Sequence, residues 1–264
     1  MRSSPPSGGP ARSTGRGGPA VIVMAEIPGI TPKVADVARR IASIGCTAVM
    51  PHLMGEPGRD VDPSGAGRLS SARYALESLV PSCISREFTV LARGRTSPVV
   101  RWLRVLGRHE HERCGGPGIG AIGMCFTGGF ALAMATDERL LAPVLSQPSL
   151  PFTAIPGNRG SIDCSAGDLA IVRARCETEG LQVLGLRFKG DRLVTAERFA
   201  FLRRELGDAF VAIELDDDSA RKGTALPPHS VLTEHLVDAP GEPTRSALDT
   251  VLAHFRTRLL EPAG

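Results

Sequence analysis

The first uninterrupted apolar run is Ala20-Val21-Ile22-Val23-Met24-Ala25, closed off downstream by Pro28 and Gly29. A run of that length with no alternation reads as a strand buried on both faces, the kind found in parallel sheets covered by helices. Thr31 followed by Pro32 then supplies an N-cap and a first helical position. Val34, Val37, Ala38 and Ile41 recur at helical spacing up to about Ile44, and Gly45 ends the helix. Cys46 to Met50 is the next apolar strand. Strand, helix and strand within about thirty residues are the signature of a parallel crossover.

The alternation continues along the chain. Residues 51–70 form a Pro- and Gly-containing loop, and 71–113 are mainly helical with a break between Gly94 and Pro98. Strands are predicted over 118–124, 140–145, 181–188 and 210–215, with helices over 127–136, 169–178 and 196–206. A long polar stretch, 216–241, precedes a last helix from Pro243 to about Leu260, striped by Leu248, Val251, Leu252, Phe255 and Leu259. The fold class is therefore α/β with a mainly parallel central sheet flanked by helices. Residues 1–18, rich in Ser, Pro, Gly and Arg, show no apolar periodicity and read as a disordered arm, leaving 19–264 as a single domain.

Composition narrows the choice of partner. Aromatic residues are only 4% of the chain against 42% apolar overall, so Val, Leu, Ile and Ala must build the core. A net charge of +3 argues for neither nucleic acid nor an anionic membrane as partner. No apolar run reaches membrane-spanning length, and no secretory h-region is present. The six cysteines contain no Cys-x-x-Cys pair, which predicts reduced thiols in a cytoplasmic protein and no zinc site. His109, Glu110, His111, Glu112 and Arg113 read as a polar helix face rather than a metal site, because adjacent helical residues do not converge. Gly118-x-Gly120 with Gly123 imitates a dinucleotide fingerprint, but it lies inside a strand rather than after one. No cofactor is expected.

Chemistry concentrates at Gly123-Met124-Cys125-Phe126-Thr127-Gly128-Gly129. A short strand of small residues runs straight into Cys125, and a glycine pair and a helix follow at once. Such a sharp strand-to-helix turn presents one side chain above the sheet's C-terminal edge, and small neighbours let the backbones approach closely. The helix N-terminus favours thiolate, and the Phe126 N–H points where an oxyanion would form. One feature is unusual for such an elbow: Thr127 stands two positions after the nucleophile, and the glycines come at 128 and 129.

A cysteine nucleophile needs a base, and the base an orienting acid, which on such sheets follow in the chain order nucleophile, acid, histidine. Asp191 sits just past the strand ending at Phe188, with Asp163 and Asp168 as rivals; His229 lies in a proline-stiffened loop, with His235 as competitor. Glu26 ends the first strand, a position suited to act on the thiol proton, and the Ile27 N–H is a candidate second oxyanion donor. His52, after the strand ending near Pro51, is a further candidate lining residue.

These residues resemble the dienelactone hydrolase (carboxymethylenebutenolidase) family of the α/β-hydrolase superfamily. Three stretches carry the likeness: Val21-Ile22-Val23-Met24-Ala25-Glu26-Ile27-Pro28-Gly29, then Ala121-Ile122-Gly123-Met124-Cys125-Phe126-Thr127-Gly128-Gly129, and Gly190-Asp191 with the later His229. The resemblance implies a Cys125–His229–Asp191 triad, with Glu26 holding or taking the thiol proton as substrate enters. It also implies a small-molecule lactone or activated ester substrate, hydrolysed through an acyl-enzyme; a monomer or homodimer is expected. This chain departs from the family in three places. The arm replaces an extra N-terminal strand or hairpin, Pro51-His52-Leu53 stands where Pro-Asp-Leu is usual, and Ser230 to Thr233 contain no substrate-gripping arginine, a role left to Arg73 or a neighbour. A non-catalytic binding or scaffold protein on the same fold is the alternative. A redox thiol protein would need Cys114 or Cys46 close to Cys125.

Overall fold

Six strands lie parallel, side by side, in a sheet whose C-terminal edge collects every loop of chemical interest. The structure, a computed structural model, describes residues 12–14, 17–59, 94–155, 157–224 and 226–261, together with 74, 77 and 88. In chain order the elements are β1 (Arg12–Thr14), β2 (Ala20–Met24), α1 (Pro32–Ser43), β3 (Thr47–Met50), α2 (Val99–Cys114), β4 (Ile119–Met124), α3 (Gly128–Met134), β5 (Leu140–Ser146), α4 (Ala166–Glu179), β6 (Val183–Phe188), α5 (Ala196–Leu206), β7 (Phe210–Leu215) and α6 (Pro243–Leu259). The sheet order is β1-β3-β2-β4-β5-β6-β7, and only β1 is antiparallel to its neighbour.

The arm expected over residues 1–18 is not wholly without structure: Arg12–Thr14 pair with Met50 to Ala48 as a short edge strand. Three residues with no apolar period carry no strand signal of their own; the exposed edge of β3 recruits them. Residues 1–11, 15 and 16 lie outside the described residues, as does most of the helical segment expected over 71–93. The expected break at Gly94–Pro98 is present, and α2 starts directly after it.

Burial on both faces explains the unalternating strands. Along β2, Ala20, Ile22 and Met24 enter the core under α2, α3, α4 and α5, while Val21 and Val23 enter the core under α1 and α6. The Val34, Val37, Ala38 and Ile41 stripe of α1 is buried, and Thr31 caps that helix by accepting from the Val34 N–H at 3.3 Å. The seven residues of α3 are all buried, which is why its sequence is small and apolar all round. No described helix is long and apolar enough to cross a membrane.

Candidate active site

Cys125 leaves β4 with φ +52, a left-handed conformation that costs an L-residue about 1–2 kcal/mol. Two glycines make the turn possible. A Cβ on Gly123 would stand 2.1 Å from the Thr127 carbonyl oxygen, and one on Gly128 would stand 2.4 Å from Pro148 Cα. Thr127, the unusual residue of the elbow, has a structural task. Its hydroxyl accepts from the Met124 N–H at 3.0 Å and donates to the Met24 carbonyl at 2.9 Å, tying the elbow to the end of the adjacent β2.

The loops after β6 and β7 bring the acid and the histidine together. His229 Nδ1 donates to Asp191 Oδ2 at 2.6 Å. The other Asp191 oxygen accepts from the Leu193 N–H at 2.9 Å, which fixes the carboxylate on its own turn. His229 Nε2 is buried and makes no hydrogen bond of normal geometry. Burial pulls the pKa of His229 down, but the Cys125 sulfur and the Asp191 carboxylate more than reverse that, leaving it well above the ordinary imidazole value. The sulfur is thus an electrostatic neighbour of the ring.

The rivals have other partners. Asp163 accepts from the Ser97 hydroxyl at 2.6 Å, and Asp168 pairs with Arg104 at 3.2 Å. His235, almost wholly buried, accepts at Nδ1 from the Ser230 N–H at 3.1 Å, and its Nε2 lies 3.1 Å from the Leu226 carbonyl. Burial lowers its pKa, so the ring stays neutral and braces the His229 loop. His52 closes a local turn by donating to the Gly55 carbonyl at 2.7 Å. On α2, Glu110 pairs with Arg113, and no group of metal-ligating side chains gathers among the described residues. Cys46 packs on the opposite face of the sheet from Cys125. Arg73 lies outside the described residues.

Glu26 is buried at the end of β2 and held by three side chains. Gln147 Nε2 donates to it at 3.1 Å, Ser230 Oγ at 2.7 Å, and the Thr233 hydroxyl bonds its other oxygen. None of the hydrogen bonds among the described residues joins Glu26 to Cys125. Ser230 and Thr233, where an arginine was missed, therefore turn inward to Glu26. Ile27 and Phe126 follow the C-terminal ends of the neighbouring strands β2 and β4, paired through Met24 and Gly123.

Sequence reasoning missed the end of β5. Gln147 is fully buried with φ +37, and its side-chain oxygen accepts from the Val231 N–H at 3.4 Å. The Ser149 N–H donates to the Cys125 carbonyl at 3.0 Å, and its hydroxyl lies 3.3 Å from the Cys125 sulfur. Polar residues at 146, 147 and 149, directly after a buried strand, were the available signal.

The dienelactone hydrolase family model matches residues 8–151, more than half of the chain. The chain belongs to the dienelactone hydrolase family. The match includes Glu26 and the Cys125 elbow and stops before Asp191 and His229, whose meeting is a feature of the three-dimensional structure alone. No curated protein matches this dienelactone hydrolase family member significantly in sequence. Among solved structures, a candidate dienelactone hydrolase from Klebsiella pneumoniae subsp. pneumoniae is similar at a TM-score of 0.56 and 18% identity, over 93% of this chain and 91% of that one. The dienelactone hydrolase-like promiscuous phosphotriesterase P91 from metagenomic libraries is similar at 0.50 and 17%, over 92% and 87%. TT1662 from Thermus thermophilus is similar at 0.50 and 15%, over 93% and 92%. At these identities the likeness establishes the fold, that of the α/β hydrolases, and family membership makes the chain a hydrolase.

Proposed function

We propose that the chain hydrolyses small activated carboxylic esters or lactones through a thioester on Cys125. The observation that carries this reading is a strained elbow cysteine together with a histidine whose Nδ1 is anchored 2.6 Å from a buried carboxylate and whose pKa the Cys125 sulfur raises. The Cys125 proton passes to His229 Nε2, and the sulfur attacks the carbonyl carbon. A C–S bond forms, and the carbonyl π pair moves onto oxygen, where the N–H groups of Ile27 and Phe126 receive it. Loss of one such donor costs on the order of 10²–10³-fold in rate. The intermediate collapses with cleavage of the C–O bond, and His229 returns the proton to the leaving oxygen. Water then adds to the thioester, giving its proton to His229, and the second collapse expels the sulfur and yields the acid.

Glu26 is assigned an anchoring role, because its three partners occupy it and two of them belong to the His229 loop. For it to take the thiol proton, a substrate would first have to draw it from Gln147, Ser230 and Thr233. An apolar substituent is favoured on the substrate: Phe126, next to the nucleophile, packs edge-on against Phe88 at 5.1 Å and against Phe152 at 6.5 Å.

The test is p-nitrophenyl acetate and a lactone panel with the wild type, Cys125→Ala and Cys125→Ser. Hydrolysis falling to background in Cys125→Ala supports the reading; unchanged turnover in that variant sinks it. A wild type inert toward the whole panel, with Cys125 untouched by thiol reagents, would leave the fold as a binding scaffold.

A further inference from the structure

We propose that Ser149 is a further catalytic residue, whose hydroxyl donates a hydrogen bond to the Cys125 sulfur and stabilises negative charge there as His229 takes the thiol proton. The inference rests on the reading of Cys125 as nucleophile and deepens it.

Three observations carry it. The hydroxyl lies 3.3 Å from the sulfur, its one hydrogen-bond partner among the described residues, and Ser149 is only 1% exposed. A buried hydroxyl with no other acceptor in reach spends its proton on the sulfur, and a donor to a charged acceptor makes a stronger bond than a neutral pair. The backbone holds the hydroxyl in place, since the Ser149 N–H donates to the Cys125 carbonyl at 3.0 Å, so that nucleophile and donor share two contacts. Finally, both flanks of Ser149 are clamped by one buried guanidinium: Arg198 donates to the Pro148 carbonyl at 2.6 Å and to the Pro151 carbonyl at 2.5 Å. The hydroxyl is therefore preorganised before any substrate arrives, which is what makes a donor effective toward a developing charge.

The proton balance is simple. The thiol proton goes to His229 Nε2, Ser149 keeps its own proton throughout, and the sulfur carries the charge until it attacks. The titratable group that acts on the sulfur is His229, with Asp191 behind it; Glu26, at the end of β2, is taken up by Gln147, Ser230 and Thr233.

The experiment alkylates the folded full-length protein with iodoacetamide at about pH 6 and at about pH 10 and follows Cys125 by peptide mass mapping. Ser149→Ala is expected to slow Cys125 alkylation about tenfold at the lower pH, the size of one lost hydrogen bond to a charged group, and to leave the higher-pH rate unchanged. Acylation by p-nitrophenyl acetate near neutral pH should slow in parallel, and Ser149→Thr, which keeps a hydroxyl, should recover most of both rates. Equal rates in wild type and Ser149→Ala at both pH values overturn the proposal. Equal slowing at both pH values also overturns it, because that is the mark of a rearranged elbow. Alkylation does not require turnover, so hydrolysis surviving in Cys125→Ala would remove the proposed function without touching this measurement.

Discussion

Cys125 occupies backbone space that an L-residue enters only at a cost, and the strain is what aims its sulfur over the sheet edge. Cys125→Gly should therefore be more stable than Cys125→Ala by about 1 kcal/mol, because only glycine relaxes at φ +52. Urea unfolding of the two variants measures the difference. Asp191 serves the histidine on one oxygen and its own turn on the other. Asp191→Asn should keep the fold and lower kcat by on the order of 10²–10⁴-fold, through the wrong imidazole tautomer, as steady-state kinetics against an unchanged Tm would show. Cys125, Asp191 and His229 stood out as candidates because each follows a strand in the order that such sheets impose. Ser149 and Gln147 were not, because their meaning depends on which strand lies beside β4. Nothing in the string of residues says that it is β5.

Helix α5 carries a charged side chain whose place only the packing reveals. Its bounds, 196–206, are those expected from the sequence, and within it the Arg198 side chain is fully buried. Its guanidinium reaches the carbonyls of Pro148, Pro151 and Ser161, so one side chain from a helix holds the loop that follows β5. Burial draws its pKa down to about 10, with Asp191 and Asp163 pulling the other way. Arg198→Met should destabilise the protein by about 3 kcal/mol or more, since it orphans several buried carbonyls at once. It should also depress esterase activity beyond what stability explains, by freeing Ser149. Denaturation midpoints and the rate of the folded fraction separate the two effects. At the other end of the chain, β1 exists because β3 offers an unpaired edge, a fact about the neighbour rather than about Arg12 to Thr14.

Buried Asp163 and half-buried His254, in different layers, give the molecule opposing responses to acid. Burial, against the Ser97 hydrogen bonds and Arg198, raises the pKa of Asp163 to about 7. Its contribution is full below the unfolded carboxylate value and is lost as pH rises through about 7, so it resists acid unfolding. Burial and then Arg258 lower the pKa of His254 on α6 to about 4. Its contribution is present above the unfolded imidazole value and is lost as pH falls through about 4. Thermal unfolding from about pH 7 down to about pH 4 should thus show a steeper loss of Tm for Asp163→Asn than for the wild type, and a shallower one for His254→Gln. Parallel curves for all three proteins would refute both assignments.

The sequence by itself determined the alternation of strands and helices, the elbow, and the placing of Cys125, Asp191 and His229 each after a strand, because local periodicity and turn chemistry act within a few residues of each position. Tertiary structure alone decided which strand lies beside which. That placed Ser149 against the sulfur, turned Glu26 toward Ser230 and Thr233, and buried Arg198 under the active-site loop. These contacts join positions tens to hundreds of residues apart, and short-range patterns hold no record of such distances.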